Sequence, residues 1–495
     1  MNFVFVITQH IKNGECMKKT TTNISINIKY IEDKFEGVGE LVKKELNVGG
    51  KNLILFYLLG LSNSQMISDF VVKPCILYDG DEPNPKKFMN EVLYLSEIKS
   101  STDLDEGIEK LTHGHSLLFF PDSDQFLYMA TDQIKERSLS EPPTSSVLQG
   151  PREGFVENYK TNIGLIKKIL ATPDLKSENV VVGRYTKTNI VIMYIDGICD
   201  KGLVNKVKNK IEAIDIDGII DSYYISSFLE EHPESFFKQI GNAEKPDIVC
   251  AKILEGRLAI IVDGSPMVLT LPYMLFEDFQ KSGDYYSSSL RATMLRWLRV
   301  FSLIVTVALP GMYVAIQLYH YKVIPLTFLI TIVNSTQGIP LSPFAEILFV
   351  LILFEILYEA SLRMPKYLGM AMSIVGALIL GDTAVQAGII SPPAVMIVAL
   401  SGITLYTIPE QASVLSLLRF AYTIAGGILG FYGIIIFTLY FIIYFNDFDN
   451  YGVPYLAPFA PKVKSDYKDA MFKANIMDMK TRPVSLKNKN KRRQK

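Results

Sequence analysis

Residues 420–445 read FAYTIAGGILGFYGIIIFTLYFIIYF, a run of 26 positions without a charged side chain. A helix needs about 20 consecutive apolar residues to cross the hydrocarbon core of a bilayer, so this run is long enough. It closes a longer block, because residues 300–445 hold only nine charged side chains in 146 positions. A soluble domain interleaves its core with charged surface, so the block indicates a membrane domain.

The first 299 residues contrast with that block, because 75 of them are charged. That share is about one quarter, as in an ordinary soluble domain. The sequence therefore predicts a soluble α/β N-terminal region followed by an α-helical polytopic membrane domain, which excludes a wholly cytosolic enzyme and a secreted disulfide scaffold. The predicted divisions are an extension at 1–16, a first α/β subdomain at 17–140, a linker at 141–159, a second α/β subdomain at 160–275, a juxtamembrane segment at 276–299, a membrane domain at 300–445 and a basic tail at 446–495.

The soluble region repeats one order of features. The segments LILFYLLGLSNSQMISDFVV, from Leu53, and IVIMYIDGICDKGLVNKVKN, from Ile190, each read as an apolar strand, a glycine turn, a capping residue and an amphipathic helix. The segments SLLFFPDSDQFLYMA (116–130) and RLAIIVDGSPMVLTL (257–271) each read as a β-hairpin. This order predicts two similar α/β subdomains with a boundary in the turn-rich stretch 138–154.

Motifs for catalysis or cofactor binding are missing from the sequence. The cysteines form no CxxC, which is typical of free thiols in a reducing compartment; they are Cys16, Cys75, Cys199 and Cys250. The histidines lack zinc-ligand spacing, and there is no Walker A motif, no GxGxxG after a strand and no GxSxG elbow. We therefore expect no enzyme activity, no catalytic residue, no metal site and no cofactor, and no nucleic acid partner.

The first 16 residues lack the basic region and cleavage site of a signal peptide. We expect them to be a disordered extension, or the true start to be Met17.

Basic residues set the expected membrane orientation. Arg291, Arg296 and Arg299 precede the first apolar run, and Trp297 lies among them. By the positive-inside rule and the aromatic belt, the soluble region is expected to be cytoplasmic. The predicted spans are 300–320, 344–362, 368–390, 393–409 and 420–445, with a short apolar piece at 323–333.

The C-terminal tail is also expected on the cytoplasmic side. Residues 462–495 hold twelve Lys or Arg and three Asp, a composition that resists translocation and attracts anionic lipid. Two cytoplasmic ends require an even number of spans, whereas five runs are clear. Either 323–340 crosses the membrane or 410–445 crosses it twice, so the prediction is five to six spans.

Charged residues inside the apolar block are candidate functional residues, because each is costly there. Glu355, Glu359 and Arg363 recur every four residues and share one helix face. Asp382 lies near the centre of a segment rich in small residues. Two interpretations of the acidic stripe remain open: an ion path, or a Glu–Arg pair, within or between helices, that holds the bundle together.

Glycines in the block are candidates for close helix packing, because small residues let helix backbones approach each other. They are Gly376, Gly381, Gly388, Gly426 and Gly430.

Six motifs in order resemble one known family. They are GPREGFVEN (150–158), LEGRLAIIVDGSP (254–266), ALPGMYVA (308–315), FEILYEASLRMP (354–365), IVGALILGDTAVQAGIISPP (374–393) and YGVPYLAPFAP (451–461). Over roughly residues 40–461 the chain resembles the GerA-type spore germination proteins, the A subunits of nutrient germinant receptors. Tyr358 and Gln337 stand where the family pattern predicts arginine.

The resemblance implies a multi-pass protein of the inner membrane of a bacterial spore. It implies a B subunit that binds the nutrient and a C-subunit lipoprotein as partners, and a homo-oligomer that forms an ion channel and releases ions at the start of germination. Two alternatives remain: a non-receptor paralogue of the SpoVAF kind, which modulates another spore channel, and a secondary transporter. The transporter is disfavoured, because it predicts inverted repeats in the membrane domain and the repeats found lie in the soluble region.

Overall fold

The computed structural model describes residues 18–80, 82–132, 149–363, 376 and 383–494. They form two compact units. The first holds the residues up to Glu230 together with Ile240–Pro272 and Leu486–Lys491, and the second holds Glu231–Gln239, Tyr273–Ser485 and Arg492–Lys495. The basic tail, predicted as one segment at 446–495, is thus divided between the two units. The predicted extension at 1–16 lies outside the described residues.

The first subdomain of the first unit is a five-stranded antiparallel sheet with helices on it. Its strands are β1 Leu41–Val48, β2 Lys51–Leu58, β3 Ile98–Ser101, β4 Ser116–Phe119 and β5 Phe126–Met129, in the order β1-β2-β4-β5-β3. Its helices are α1 Ile24–Lys34, α2 Ser64–Ile67, α3 Lys73–Ile76, α4 Pro85–Lys87 and α5 Leu104–Thr112, with π-helical turns at Ser68–Val72 and Phe88–Val92.

The second subdomain repeats this architecture. Its strands are β6 Leu175–Val182, β7 Thr188–Ile195, β8 Gly241–Ala243, β9 Leu258–Val262 and β10 Val268–Leu271, in the order β6-β7-β9-β10-β8. Its helices are α6 Tyr159–Ile169, α7 Lys201–Glu212, α8 Ser222–Leu229 and α9 Pro246–Leu254. The strand order matches that of the first sheet position by position, as the paired segments predict.

The repeated segments form the centre of each sheet because they can be buried on both faces. Along β2, Leu53 and Leu55 point into one hydrophobic cluster while Ile54 and Phe56 point into another, the alternation that a strand imposes. The two hairpins are also present, with Ser116 paired to Met129 in the first. The local sequence signals therefore agree with the tertiary structure in this unit.

The second unit is helical. Its helices are α10 Ser282–Tyr285, α11 Ser289–Tyr319, α12 Leu326–Thr336, α13 Pro343–Arg363, α14 Ala384–Gln386, α15 Pro392–Leu405 and α16 Ala412–Asp447, followed by the short strands β11 Asp449–Asn450 and β12 Val453–Pro454. Among the described residues, two helical segments are long and apolar enough to cross a membrane, Ser289–Tyr319 and Pro409–Asp447. Helix α11 begins before the predicted span at 300–320, because its first turns pack against the C-terminal tail.

The long helix α16 reverses direction at Gly430. This residue has φ +63° and ψ −144°, a backbone conformation open essentially to glycine alone. In a straight helix, Tyr422 and Thr438 would lie about 24 Å apart along the axis. Their hydroxyl oxygens are 3.1 Å apart, so the two arms on either side of Gly430 form an antiparallel hairpin.

Both ends of α16 lie at the end of the bundle where α11 begins, which we call the near end. Gln411, just before α16, donates a hydrogen bond to the Tyr273 hydroxyl at 2.8 Å. Tyr455, after α16, places its ring 5.7 Å from that of Tyr273. The hairpin tip lies at the opposite, far end, where Tyr319 at the end of α11 donates to the carbonyl of Ile428 at 2.9 Å.

Helix α12 does not traverse the bundle. The chain enters this connection from Tyr319 at the far end, and at its exit the Phe344 ring lies against Gly427, also at the far end. This connection thus begins and ends at the far end, while the segment 410–445 is doubled back on itself at Gly430.

Candidate functional site

The acidic stripe on α13 divides between two arginine partners on different elements. Glu355 faces the first arm of α16, where Arg419 Nη2 donates to its Oε2 atom at 3.0 Å. Ser416, one turn earlier on the same arm, donates to the same oxygen at 2.8 Å. This arrangement is an interhelical Glu–Arg pair that joins α13 to α16.

Arg419 is fully buried, while the side chain of Glu355 is 36% exposed. The guanidinium also lies 5.3 Å from the centre of the Phe354 ring. Its Nε and Nη1 atoms have no hydrogen-bond partner among the residues that the structure describes. The carboxylate of Glu355 is therefore the main counter-charge that the described chain offers to a buried cation, and a buried charge depends strongly on such a partner.

Glu359 has a different environment. Its Oε1 atom accepts from Arg363 Nε at 2.8 Å, a pair within one helix, and the two side chains are 56% and 80% exposed. The structure thus brings Glu359 and Arg363 together near the end of α13 and separates them from Glu355. Asp382 lies outside the described residues.

Glu346 is a third acidic residue on α13, and it is almost completely buried. Its carboxylate accepts the backbone N–H of Ser391, the residue that caps the N-terminus of α15. A helix N-terminus carries a partial positive charge, so it compensates a buried carboxylate. Glu346 thereby fixes α15 against the start of α13.

The candidate packing glycines have separate roles. Gly426 is a packing residue, because a Cβ there would overlap the carbonyl of Gly311 on α11, where the two helix backbones cross. At Gly376 a Cβ would lie 3.1 Å from the Leu357 side chain. Gly381 lies outside the described residues.

Two of the candidate packing glycines have positive φ values. Gly388 has φ +66°, and a Cβ added there would meet no atom of the described residues within 4 Å, so this glycine forms the turn before α15. Gly430 is the residue at which α16 reverses, and a Cβ added there would also lie 3.0 Å from the Tyr319 side chain at the end of α11. Both residues have a positive φ, which favours glycine, and at Gly430 the close contact with α11 adds to this preference.

Comparison with known proteins places the chain in a family. A model of the Bacillus/Clostridium GerA spore germination proteins matches residues 29–485. The chain belongs to the GerA spore germination protein family. It is 35% identical to spore germination protein KA of Bacillus subtilis over 95% of this chain and 88% of that protein.

Two further relatives cover the GerA chain almost completely. It is 33% identical to the uncharacterized membrane protein YfkQ of B. subtilis, over 93% of this chain and 91% of that protein. It is 28% identical to GerLA of Bacillus cereus, over 93% of this chain and 95% of that protein. Among solved structures, the N-terminal domain of the A subunit of the Bacillus megaterium germinant receptor GerK3 aligns with 52% of this chain and 97% of that domain, at 25% identity and a TM-score of 0.39.

A buried ionic cluster ties the C-terminal tail of this GerA chain to the start of α11. Asp284 accepts from Arg299 through both carboxylate oxygens, at 2.7 and 2.9 Å. Arg296, also fully buried, contacts Asp284 and donates to the carbonyl of Ala470 at 2.9 Å and to Asp469 at 3.1 Å. Burial raises the pKa of Asp469, although the charge of Arg296 acts in the opposite direction.

This cluster gives the arginines at the start of α11 a structural role in addition to their role as markers of membrane orientation. The sequence indicated Arg296 and Arg299 as markers of membrane orientation, and the structure adds that they hold the tail. Arg419 was missed as a site residue. Its signal is one arginine in an otherwise uncharged run, but its partner lies 64 positions away on another helix.

A cavity of about 380 Å³ lies in the first unit between the two α/β subdomains. It is lined by both charged and small residues, among them Gly60, His113, Asp132, Lys160 and Lys168. Its volume is that of a small-molecule pocket, which the sequence did not indicate. The subdomains touch beside it, because a Cβ at Gly164 would lie 2.6 Å from the Gly60 carbonyl.

Proposed function

We propose that this chain is the A subunit of a nutrient-responsive spore germination receptor, without catalytic turnover, in the inner membrane of the spore. The observation that carries the proposal is the GerA family match, which extends over both the α/β unit and the helical unit. Relatives that are named spore germination proteins align over the same length.

In this proposal the helical unit is polytopic. Helix α11 runs from the near end to the far end, and α13 runs back to the near end. The Tyr358 ring of α13 lies 5.7 Å from the ring of Tyr406, the residue that follows α15 at the near end. Helix α15 also runs towards the near end, and the α16 hairpin adds two crossings. The chain therefore enters the helical unit at α11 and leaves it after α16 at the same near end, which keeps the soluble region and the tail on one side, and the arginines at the start of α11 favour the cytoplasm for that side.

The proposal includes ion release through an oligomer of this chain. Rings of carboxylates around an axis concentrate cations. Glu355 is paired with buried Arg419, so we assign it to holding α13 against α16. Glu359 has an exposed partner and is the carboxylate better placed to line an ion path. A nutrient-binding B subunit and a C-subunit lipoprotein are the expected partners.

Deletion of the gene tests the receptor proposal. Spores that lack it should lose germination with at least one nutrient, in a strain without the other GerA-type receptors. They should still germinate when their peptidoglycan is degraded directly, which serves as the control for viable spores. Normal responses to every nutrient would contradict the receptor role.

A second candidate is a non-receptor paralogue that modulates another spore channel. It is favoured by the 33% identity to YfkQ, a membrane protein without an assigned role, which is close to the 35% identity to protein KA. A paralogue of this kind should change the rate of germination with all nutrients alike. Neighbouring genes for B and C subunits would favour the receptor.

A further inference from the structure

The first turns of α11 are amphipathic and precede the apolar part of the helix. Ser289, Thr293 and Arg296 lie on one face and bind the tail: Ser289 donates to Asn475 at 2.7 Å, and Thr293 accepts the backbone N–H of Lys473 at 3.1 Å. These bonds and those of Arg296 fix the tail segment 469–477 on the helix. The tail here is an ordered part of the unit.

A neighbouring face of these turns, about 100° around the helix, is apolar and exposed. Leu290, Met294 and Trp297 recur at helical spacing and are 83%, 64% and 47% exposed. The docked tail extends this face, because the Phe472 ring lies 5.8 Å from the Trp297 ring. We call the whole surface the tail patch; it consists of Leu290, Met294, Trp297, Phe472, Ile476 and Met477, all of them exposed.

The surface continues without interruption into the apolar part of α11. Phe301 is 61% exposed and Ile304 is 54% exposed, on the turns that follow Trp297. A stripe that passes from the start of a helix into its membrane-crossing part points to the same lipid along its whole length. Trp at such a transition is typical of the membrane interface.

We propose that the tail patch inserts into the headgroup and acyl-chain boundary of the membrane that α11 crosses, so that the tail is anchored by apolar side chains as well as by charge. This inference rests on the membrane placement in the proposed function. The charge of the surroundings fits an anionic lipid surface: Arg291 and Lys480 are exposed, and the tail holds twelve basic and three acidic residues. Apolar contacts combined with basic residues are the pattern of interfacial anchors.

Spin labels on the full-length protein in anionic liposomes test the insertion. The background variant is Cys16→Ser, since Cys75, Cys199 and Cys250 are buried. A label at Met477→Cys should be more accessible to oxygen, which concentrates in lipid, than to a water-soluble nickel chelate. The matched control is Tyr185→Cys, because Tyr185 is a large side chain that is also 83% exposed, in the α/β unit; its label should show the reverse preference.

A third label separates failure of this inference from failure of the membrane placement. Ile435 is 54% exposed on the second arm of α16, and its label should report hydrocarbon. If Ile435→Cys reports lipid while Met477→Cys behaves like Tyr185→Cys, the tail patch does not insert. Protection of Met477→Cys from both reagents, or spin coupling between copies, would mean that protein covers the patch and would also overturn the proposal. If Ile435→Cys reports water, the membrane placement itself is wrong.

The native tryptophan provides a label-free measurement of the same contact. Trp297 is the single tryptophan of the chain, so its fluorescence reports on the patch alone. Lipids brominated near the headgroup should quench it more than lipids brominated near the chain end. Equal weak quenching by both lipids would contradict insertion.

Discussion

Arg419 and Glu355 are 64 positions apart in sequence, and the Nη2 atom of the first lies 3.0 Å from the Oε2 atom of the second. The pair connects the middle of α13 to the first arm of the α16 hairpin. Glu359, one turn further along α13, pairs instead with exposed Arg363. Removing the charge of Glu355 should therefore cost more stability than removing the charge of Glu359.

Substitution of each carboxylate by glutamine should separate these roles. Glu355→Gln leaves Arg419 buried without its counter-charge, and we expect a loss of about 3–5 kcal/mol of stability and a lower amount of protein in the membrane. Glu359→Gln affects an exposed pair and should cost about 0–1 kcal/mol. Thermal unfolding of the detergent-solubilised variants measures both.

The double variant Glu355→Gln, Arg419→Gln is the control for the pair. It removes both charges, so it should be more stable than Glu355→Gln alone. Equal stability losses for Glu355→Gln and Glu359→Gln would contradict a holding role for Glu355. Changed cation release with normal abundance in Glu359→Gln would support an ion path at that residue.

The crossing of α11 and α16 depends on two glycines. Gly426→Ala places a methyl group against the Gly311 carbonyl, so we expect overpacking that costs about 1–3 kcal/mol. Gly376→Ala is the matched control, because among the residues that the structure describes its new methyl group would meet a flexible leucine side chain and no backbone. Thermal unfolding of both variants should show the larger loss for Gly426→Ala, and the reverse order would rule out the crossing.

The reversal at Gly430 predicts short distances between residues far apart in the sequence. Spin labels at Leu417→Cys and Ile442→Cys should lie roughly one to two interhelical distances apart, about 10–20 Å. A straight helix would separate these positions by about 38 Å. The pair Ile435→Cys and Ile442→Cys, on one arm, should give about 10 Å in either case and checks the labelling. A dipolar distance near the longer value would exclude the hairpin.

Three cysteines report on the folding of the α/β unit. Burial raises the pKa values of Cys75, Cys199 and Cys250 to about 12, so their thiols stay protonated far above neutral pH. Since the thiolate is the reactive form, we expect these residues to resist alkylation at pH 8 in the native protein and to react after denaturation. Mass spectrometry of labelled peptides measures this, and native labelling of any of the three would show that its burial is wrong.

The sequence predicted well those features that depend on local patterns. The two sheets follow from apolar runs and glycine turns, and Gly60 and Gly197, aligned in the repeat, both have positive φ values, +86° and +81°. Whether the segment 410–445 crosses once or twice stayed open, because four glycines lie in its apolar run and composition does not show which one reverses the chain. Only the tertiary contacts of its two arms identify Gly430.

The ion pairs of the helical unit depend on contacts between helices, which the sequence does not reveal. An intrahelical pair such as Glu359 with Arg363 follows from spacing alone. The pair of Glu355 with Arg419 needs the arrangement of two helices, and so does the early start of α11, which is stabilised by tail residues about 170 positions later. Sequence patterns thus located the charged residues but not the partners of the buried ones.

Nutrient-triggered release of cations tests the central proposal most directly. The measurement uses spores in which this gene is the one GerA-type A subunit, compared with a deletion of that gene and with its complementation. We predict prompt cation release on addition of the effective nutrient in the first and third strains and none in the deletion strain. Release from the deletion strain with unchanged rate and extent would contradict the account.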